Sequence, residues 1–259
     1  KTTIDDLSAV VTGLRLAFNL PANAPWWMAA IGSIIAIVLV KQMFGGIGQN
    51  FINPALAART ILMLSWAGLI AATALPAGGQ LFGLTTVPVD AVASATPLVS
   101  SSYSLWQLFI GDVPGMLGET CKLTLILGGV YLIVRKVIDW RILFWIQTGV
   151  IYSVESGTDN ALYQILSGGL LLGAFFMATD YVTSPVSKWG KVVMGIGCAV
   201  ILFVIRAYNN SYPEGCSFAI LFMNVLTPLI DKWTMPRTFG AVKPVKAKKS
   251  EAKQGGAKA

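Results

Sequence analysis

The chain alternates between long, nearly unbroken apolar runs and short polar links, with little of the one-side-polar patterning of a surface helix. Apolar runs cover 3–20, 24–42, 53–75, 116–134, 140–153, 162–179, 188–207 and 217–232. A helix needs about 20 apolar residues to cross a bilayer. The pattern therefore predicts an all-α integral membrane protein, a polytopic helical bundle of about eight spans. Some runs are short for a crossing, notably 140–153, and such a segment can also be a re-entrant half-helix. Asp5, Asp6 and Ser8 stand just before the first run, as at a helix N-terminus. Residues 1–232 read as a membrane domain, and 233–259 as a basic cytoplasmic tail whose stretch 243–259 lacks large apolar residues and should stay disordered. The segment 76–115, rich in Gly, Thr, Ser and Pro, has no strong apolar run and is long for a structureless connection.

Composition agrees. Of 259 residues 55% are hydrophobic and 12% charged, with a mean hydropathy of +0.68; soluble proteins carry roughly a quarter of their residues as charges. The absence of His removes a His-ligated haem, the usual zinc sites and Ser-His-Asp catalysis. Cys121, Cys198 and Cys216 are too scattered for an iron–sulfur cluster held by this chain and read as small buried residues. The net charge of +7 does not signal nucleic-acid binding, because eight of the 19 basic residues lie from Lys232 onward, where anionic lipid accounts for them. The chain opens at Lys1 with neither Met nor a signal-peptide pattern, so further helices are expected upstream.

The distribution of Lys and Arg sets the orientation. With the tail in the cytoplasm, loops 135–141 and 180–191, Lys1 and Lys41 also fall inside, which places 15 of 19 basic residues there. The outward loops 76–115, 154–161 and 208–216 hold no Lys or Arg, but do hold Asp90, Asp112, Glu155, Asp159 and Glu214.

The segment Asp90-Ala91-Val92-Ala93-Ser94-Ala95-Thr96-Pro97-Leu98 falls in the long outward loop. Its small residues leave the Thr96 hydroxyl open, and Pro97 biases Thr96 toward an extended backbone. Alone this is an ordinary turn, but it resembles the flavin-attachment signature of membrane respiratory proteins, with Ala93 in place of the usual hydroxyl residue. Four further stretches point the same way: Asp5-to-Leu14; Gly45-Gly46-Ile47-Gly48-Gln49-Asn50-Phe51-Ile52-Asn53-Pro54-Ala55-Leu56; Phe176-to-Pro185; and Tyr212-Pro213-Glu214-Gly215 with Phe218–Leu221 and Asn224. Together they resemble the RnfD family, the D subunits of the Rnf ferredoxin:NAD⁺ oxidoreductase complex. They are also similar to the paralogous NqrB proteins, the B subunits of the sodium-pumping NADH:quinone reductase.

The resemblance implies a ten-helix membrane protein of urea-transporter-like inverted repeats, eight helices of it in this chain. It implies FMN joined through its phosphate to Thr96, with Asp90, Ser94 and Ala95 shaping the attachment site, and in some members a riboflavin. It implies electron relay coupled to Na⁺ or H⁺ translocation in the cell inner membrane. The implied partners within the Rnf complex are its outward-facing flavin component G, membrane components A and E, and iron–sulfur components B and C. The NAD and ferredoxin sites would belong to those partners, so this chain alone holds no complete active site. The readings it must beat are the quinone-reductase paralogue and a channel without redox function.

Charges within spans complete the set of candidates. Arg59 can bind a flavin phosphate or ribityl group, beside Asn53, or else pair with Asp5 or Asp180 to fix helix packing. Asp180 can serve an ion pathway or cap a helix. Arg206 reads as a snorkelling helix-end residue. The glycine pairs at 128–129 and 168–169 read as close helix packing, and Trp26, Trp27, Trp140, Trp189 and Trp233 as an interfacial belt.

Overall fold

The computed structural model describes residues 7–46, 48–71, 97–98, 103–154, 161–208 and 214–236. Among these the chain is all-helical, its sole strand-like feature an isolated bridge between Pro21 and Met116. The helices are α1 (Ser8–Ala17), α2 (Trp26–Ile34, running on as a π-helix, Ile35–Gln42), α3 (Pro54–Ser65), α4 (Ala67–Ala71), α5 (Leu105–Ile110), α6 (Lys122–Val134), α7 (Trp140–Val154), α8 (Ala161–Leu166), α9 (Leu170–Leu172, running on as a π-helix, Gly173–Met177), α10 (Lys188–Tyr208) and α11 (Cys216–Thr234).

Several apolar runs are not single crossings. At 1.5 Å rise per residue, the ten residues of α1 span only about half of a bilayer's roughly 30 Å core. Leu7 enters the left-handed region at φ 53° and stops α1 from extending backwards. The run 53–75 breaks at Trp66, whose φ/ψ of −133°/54° separates α3 from α4. The run 162–179 breaks at Ser167-Gly168-Gly169, with Gly168 at φ +64°. Among the described residues one helix, α10, is by itself long and apolar enough to cross a membrane. Hydropathy registers apolar length but not these interruptions, so several of the apolar runs expected as spans are, among the described residues, shorter or broken helices. The long segment 76–115 also holds α5, closed by a reciprocal capping box between Ser104 and Gln107.

Apolar residues lie on both faces of α10. Gly190, Met194, Cys198, Ala199 and Leu202 face the core, whereas Val193, Ile196, Val200, Phe203 and Val204 are exposed. A helix apolar all round belongs in a hydrophobic surround. The outer stripe recurs on α6 (Leu127, Val130, Tyr131, Val134) and α11 (Phe222, Val225, Leu229). Trp26, Trp140, Trp189 and Trp233, at helix ends, are all at least half exposed.

Small residues bring the helices together. A Cβ on Gly129 would overlap the Phe175 ring, seating α9 against α6, and one on Gly149 would overlap Ala199, where α7 meets α10. The core gathers where α6, α7, α9, α10 and α11 converge, on Leu125, Ile146, Leu171, Phe175, Met194 and Ile220. Gly129→Val should therefore cost about 1–3 kcal/mol through overpacking. It should lower the melting temperature in detergent by several degrees, while Leu127→Val on the exposed stripe leaves it unchanged.

Candidate functional site

The site begins with the N-cap of α3. Asn53 accepts from the Ala55 and Leu56 amides (3.1 and 3.3 Å), and Pro54 takes the first helical position, where no N–H is needed. The same side chain donates to the Met177 carbonyl at the end of α9 (3.3 Å). Asn224 of α11, with its amide oriented to suit its neighbours, accepts from the Asn53 amide (3.2 Å) and donates to the Thr183 carbonyl (3.2 Å). Asn53, wholly buried, thus ties α3, α9 and α11 together.

Two turns along α3, Arg59 is 3% exposed. Its guanidinium donates to Glu214 Oε2 (2.6 Å), Asn19 Oδ1 (3.1 Å) and Ser217 Oγ (3.1 Å). Asn19 in turn donates to the Arg15 carbonyl (2.6 Å) and contacts the Met177 sulfur (3.7 Å). Glu119 and Lys122 complete the cluster. Lys122 donates to the carbonyls of Glu119 and Gly168, the latter at 2.8 Å. Glu119 Oε1 accepts from the Met116 amide (3.1 Å). Among the described residues, no donor reaches Glu119 Oε2 or Glu214 Oε1 and no acceptor reaches Arg59 Nε; the two carboxyls are near enough to hydrogen-bond each other when one is protonated. Glycine at 169 makes the assembly possible, because a Cβ there would collide with Glu119 Oε2. Burial and the nearby Glu119 push the Glu214 carboxyl above its ordinary range, with Arg59 pulling against them.

A cavity of about 10 Å³, the size of one water, lies among Pro97, Gly115, Glu119, Lys122, Gly168 and Glu214. Pro97 follows Thr96 directly, and its carbonyl accepts from the Tyr163 hydroxyl of α8 (3.0 Å). The four candidates Asp90, Ser94, Ala95 and Thr96 lie outside the described residues.

Arg59 does not pair with Asp180. Asp180 accepts from Arg15 of α1 (3.1 Å) instead, while Arg59 points toward the start of α11. Asp5 lies outside the described residues. Arg206 does not simply snorkel: it donates to the carbonyl and Oε1 of Gln164 (2.9 and 3.0 Å). Glu119 and Lys122 belong to no motif that marks them as site residues; an acid and a base three residues apart at a helix start is the only signal they carry. Glu214 stands inside the Tyr212–Gly215 motif, but nothing in its spacing ties it to Arg59.

A second polar group forms at the opposite helix ends. Asp139 accepts from the Arg141 amide, the Arg141 guanidinium and Lys191 of α10, each at 3.1 Å. An open pocket of about 290 Å³ surrounds it, lined by Lys136, Trp140, Arg141, Tyr181, Ser184 and Lys191 among others. Burial alone would raise the Asp139 carboxyl, but the Arg141 amide and the two cations outweigh it and hold it below its ordinary value.

Removing one partner of a buried ion pair strands the other charge. Arg59→Met and Glu214→Gln should each destabilise the protein by about 3–5 kcal/mol, and the double variant by less than the sum, read as melting temperatures in detergent. A lowered folded-state pKa means that Asp139 stabilises fully above the ordinary aspartate value of about 3.9 and loses that contribution as pH falls through the lowered value. Asp139→Asn should melt lower at pH 7, and its melting temperature should fall less steeply with acid below about pH 4 than that of the parent.

Residues 1–240 match the model of the NQR2, RnfD, RnfE family. The chain is 48% identical over 259 residues to the D subunit of the Na⁺-translocating ferredoxin:NAD⁺ oxidoreductase complex of Acetobacterium woodii, covering 96% of this chain and 77% of that protein. It is 40% identical over 261 residues to the D subunit of the proton-translocating ferredoxin:NAD⁺ oxidoreductase complex of Clostridium ljungdahlii (92% and 76% covered). With the D subunit of the ion-translocating oxidoreductase complex of Stutzerimonas stutzeri it shares 38% over 270 residues (91% and 76% covered). Motif and whole-chain similarity agree: the chain belongs to the NQR2, RnfD, RnfE family, on the side of the D subunits of membrane-embedded Rnf-type complexes.

Proposed function

We propose that this chain is the flavin-carrying electron-transfer subunit of an ion-translocating ferredoxin:NAD⁺ oxidoreductase, with FMN ester-linked through its phosphate to Thr96. The observation that carries the reading is the Asp90–Thr96 attachment motif in a chain whose relatives are named as subunits of such complexes. Bound FMN would supply a centre that takes and gives electrons one at a time. The chain's residues do the rest. Thr96 offers the esterified hydroxyl; Asp90 helps handle the metal-bound flavin donor during attachment; Ser94 and Ala95 keep the approach open. Tyr163 supports the attachment segment by fixing the Pro97 carbonyl.

The water-sized cavity against Pro97 is too small for an isoalloxazine ring, so the ring of an ester-linked flavin lies outside it. Arg59, with its three acceptors inside the protein, acts on the flavin site by holding Glu214 rather than as a direct phosphate ligand, and Asn53 acts by fixing the junction of α3, α9 and α11. A riboflavin, where present, would use the same membrane domain.

In this reading the protein sits in the cell inner membrane, with broken helices in two inverted repeats, Thr96 outside and the tail in the cytoplasm. Components G, A, E, B and C of the complex complete the electron path and supply the NAD and ferredoxin sites. The names of relatives divide between Na⁺ and H⁺, so the reading commits to a monovalent cation. Asp180, already paired with Arg15, is its candidate ion-pathway residue.

The test is intact mass and in-gel flavin fluorescence of the chain purified from cells that carry the flavin transferase. The parent should carry one FMN-sized addition, and Thr96→Ala should lose both mass and fluorescence. An unmodified parent, or fluorescence retained in Thr96→Ala, overturns the attachment.

A further inference from the structure

A polar pocket between the ends of α6, α7, α9 and α10 lies apart from the Arg59 cluster and shares no lining residue with the cavity against Pro97. Its wall carries Lys136, Arg141 and Lys191 against a single carboxylate, Asp139. Asp139 accepts from Arg141 and Lys191 but not from Lys136. Lys136 is exposed, at the pocket wall, and forms no salt bridge among the described residues. Three cations against one anion leave the pocket a net charge of +2, with donors on Arg141 and Lys191 that Asp139 does not use.

Its surroundings are those of a membrane interface. Trp140 and Tyr181, half exposed or more, stand at the mouth, and the Tyr181 hydroxyl donates to the Val137 carbonyl. The Arg141 guanidinium lies 5.4 Å from the Trp140 ring centroid. Immediately beyond the pocket along α6, Val130 and Val134 are exposed and apolar. A ligand seated here would meet cations at one end and a greasy helix face at the other. In the orientation set by Lys and Arg, on which this inference rests, the pocket faces the cytoplasmic leaflet, where anionic lipids concentrate.

We infer that this pocket binds the phosphate headgroup of an anionic phospholipid, with Lys136, Arg141 and Lys191 contacting the phosphate and the acyl chains lying along the exposed face of α6. Asp139 holds Arg141 and Lys191 in place and keeps the pocket from collecting a second anion.

The test uses the purified, delipidated complex. Phosphatidylglycerol, phosphatidylcholine and inorganic phosphate are titrated in turn, with melting temperature and native mass spectrometry as readouts. Phosphatidylglycerol should raise the melting temperature and remain bound to the chain in the gas phase, and phosphatidylcholine should do neither. Lys136→Glu should weaken the phosphatidylglycerol response about fivefold or more, a loss on the scale of one basic contact to an anionic surface. Lys136→Arg should keep it. Lys188→Glu, an exposed charge at the same end of α10 but outside the pocket, should leave it unchanged.

Equal responses to phosphatidylglycerol and phosphatidylcholine would overturn the proposal, as would an undiminished response in Lys136→Glu. An equal effect of inorganic phosphate would show a plain anion site instead of a lipid site and overturn it too. Protection by an acidic partner protein alone, with no retained lipid, would assign the pocket to a protein contact and overturn it as well. None of these outcomes bears on whether Thr96 carries a flavin.

Discussion

A guanidinium placed among apolar helices constrains everything around it. Arg59 cannot shed its charge, and an uncompensated charge at that depth is expensive. The fold therefore brings distant pieces of chain to one point: Asn19 just after the end of α1, Glu214 and Ser217 at the start of α11, and Arg59 itself on α3. α1 must stop short for Asn19 to arrive there, and glycine at 169 must leave room for Glu119 beside the guanidinium. The end of α1 and the break at Gly168-Gly169 are thus conditions for burying one charge, with the apolar core packed around them.

Among the described residues, two carboxylate oxygens of this cluster receive no donor and one guanidinium nitrogen finds no acceptor, the Glu119 and Glu214 carboxyls facing each other. A fully paired network would rigidify the bundle and do nothing more. Unpaired acceptors around a water-sized cavity, with a carboxyl displaced upward by burial and a neighbouring carboxyl, leave room for a proton or a small cation to change the local balance. This occurs beside Pro97, next in sequence to the proposed attachment threonine.

Much of this was legible in the sequence, though unevenly. Asn53-Pro54 announces its own cap, because a side-chain acceptor followed by a residue without an N–H is a local signal. Apolar runs identified the lipid-facing helices, and Gly128-Gly129 read correctly as close packing, since the Phe175 and Phe176 rings lie against it. The interruptions at Leu7, Trp66 and Gly168 were not legible, because hydropathy averages over single residues whose backbone angles do the breaking. The partner of Arg59 was missed for a different reason. Glu214 lies 155 residues away, and the other acids beside apolar runs, Asp5 and Asp180, looked equally eligible. Glu119 sat at the edge of an apolar run and carried no motif. The attachment segment itself was read from resemblance, with Ala93 the one departure.

The π-helical turn Gly173–Met177 carries a consequence of its own. Relative to an α-helix, such a turn accommodates one extra residue, and each residue in a helix swings the next by about 100°. The extra residue sets the direction in which the Met177 carbonyl and the Asp180 side chain emerge, toward Asn53 and Arg15 respectively. Remove one residue from this stretch and the helix would wind more comfortably while aiming both groups elsewhere. The segment is therefore length-locked: its sequence can drift in chemistry far more readily than in residue count, and the wider turn is the means by which two halves of the bundle stay in phase.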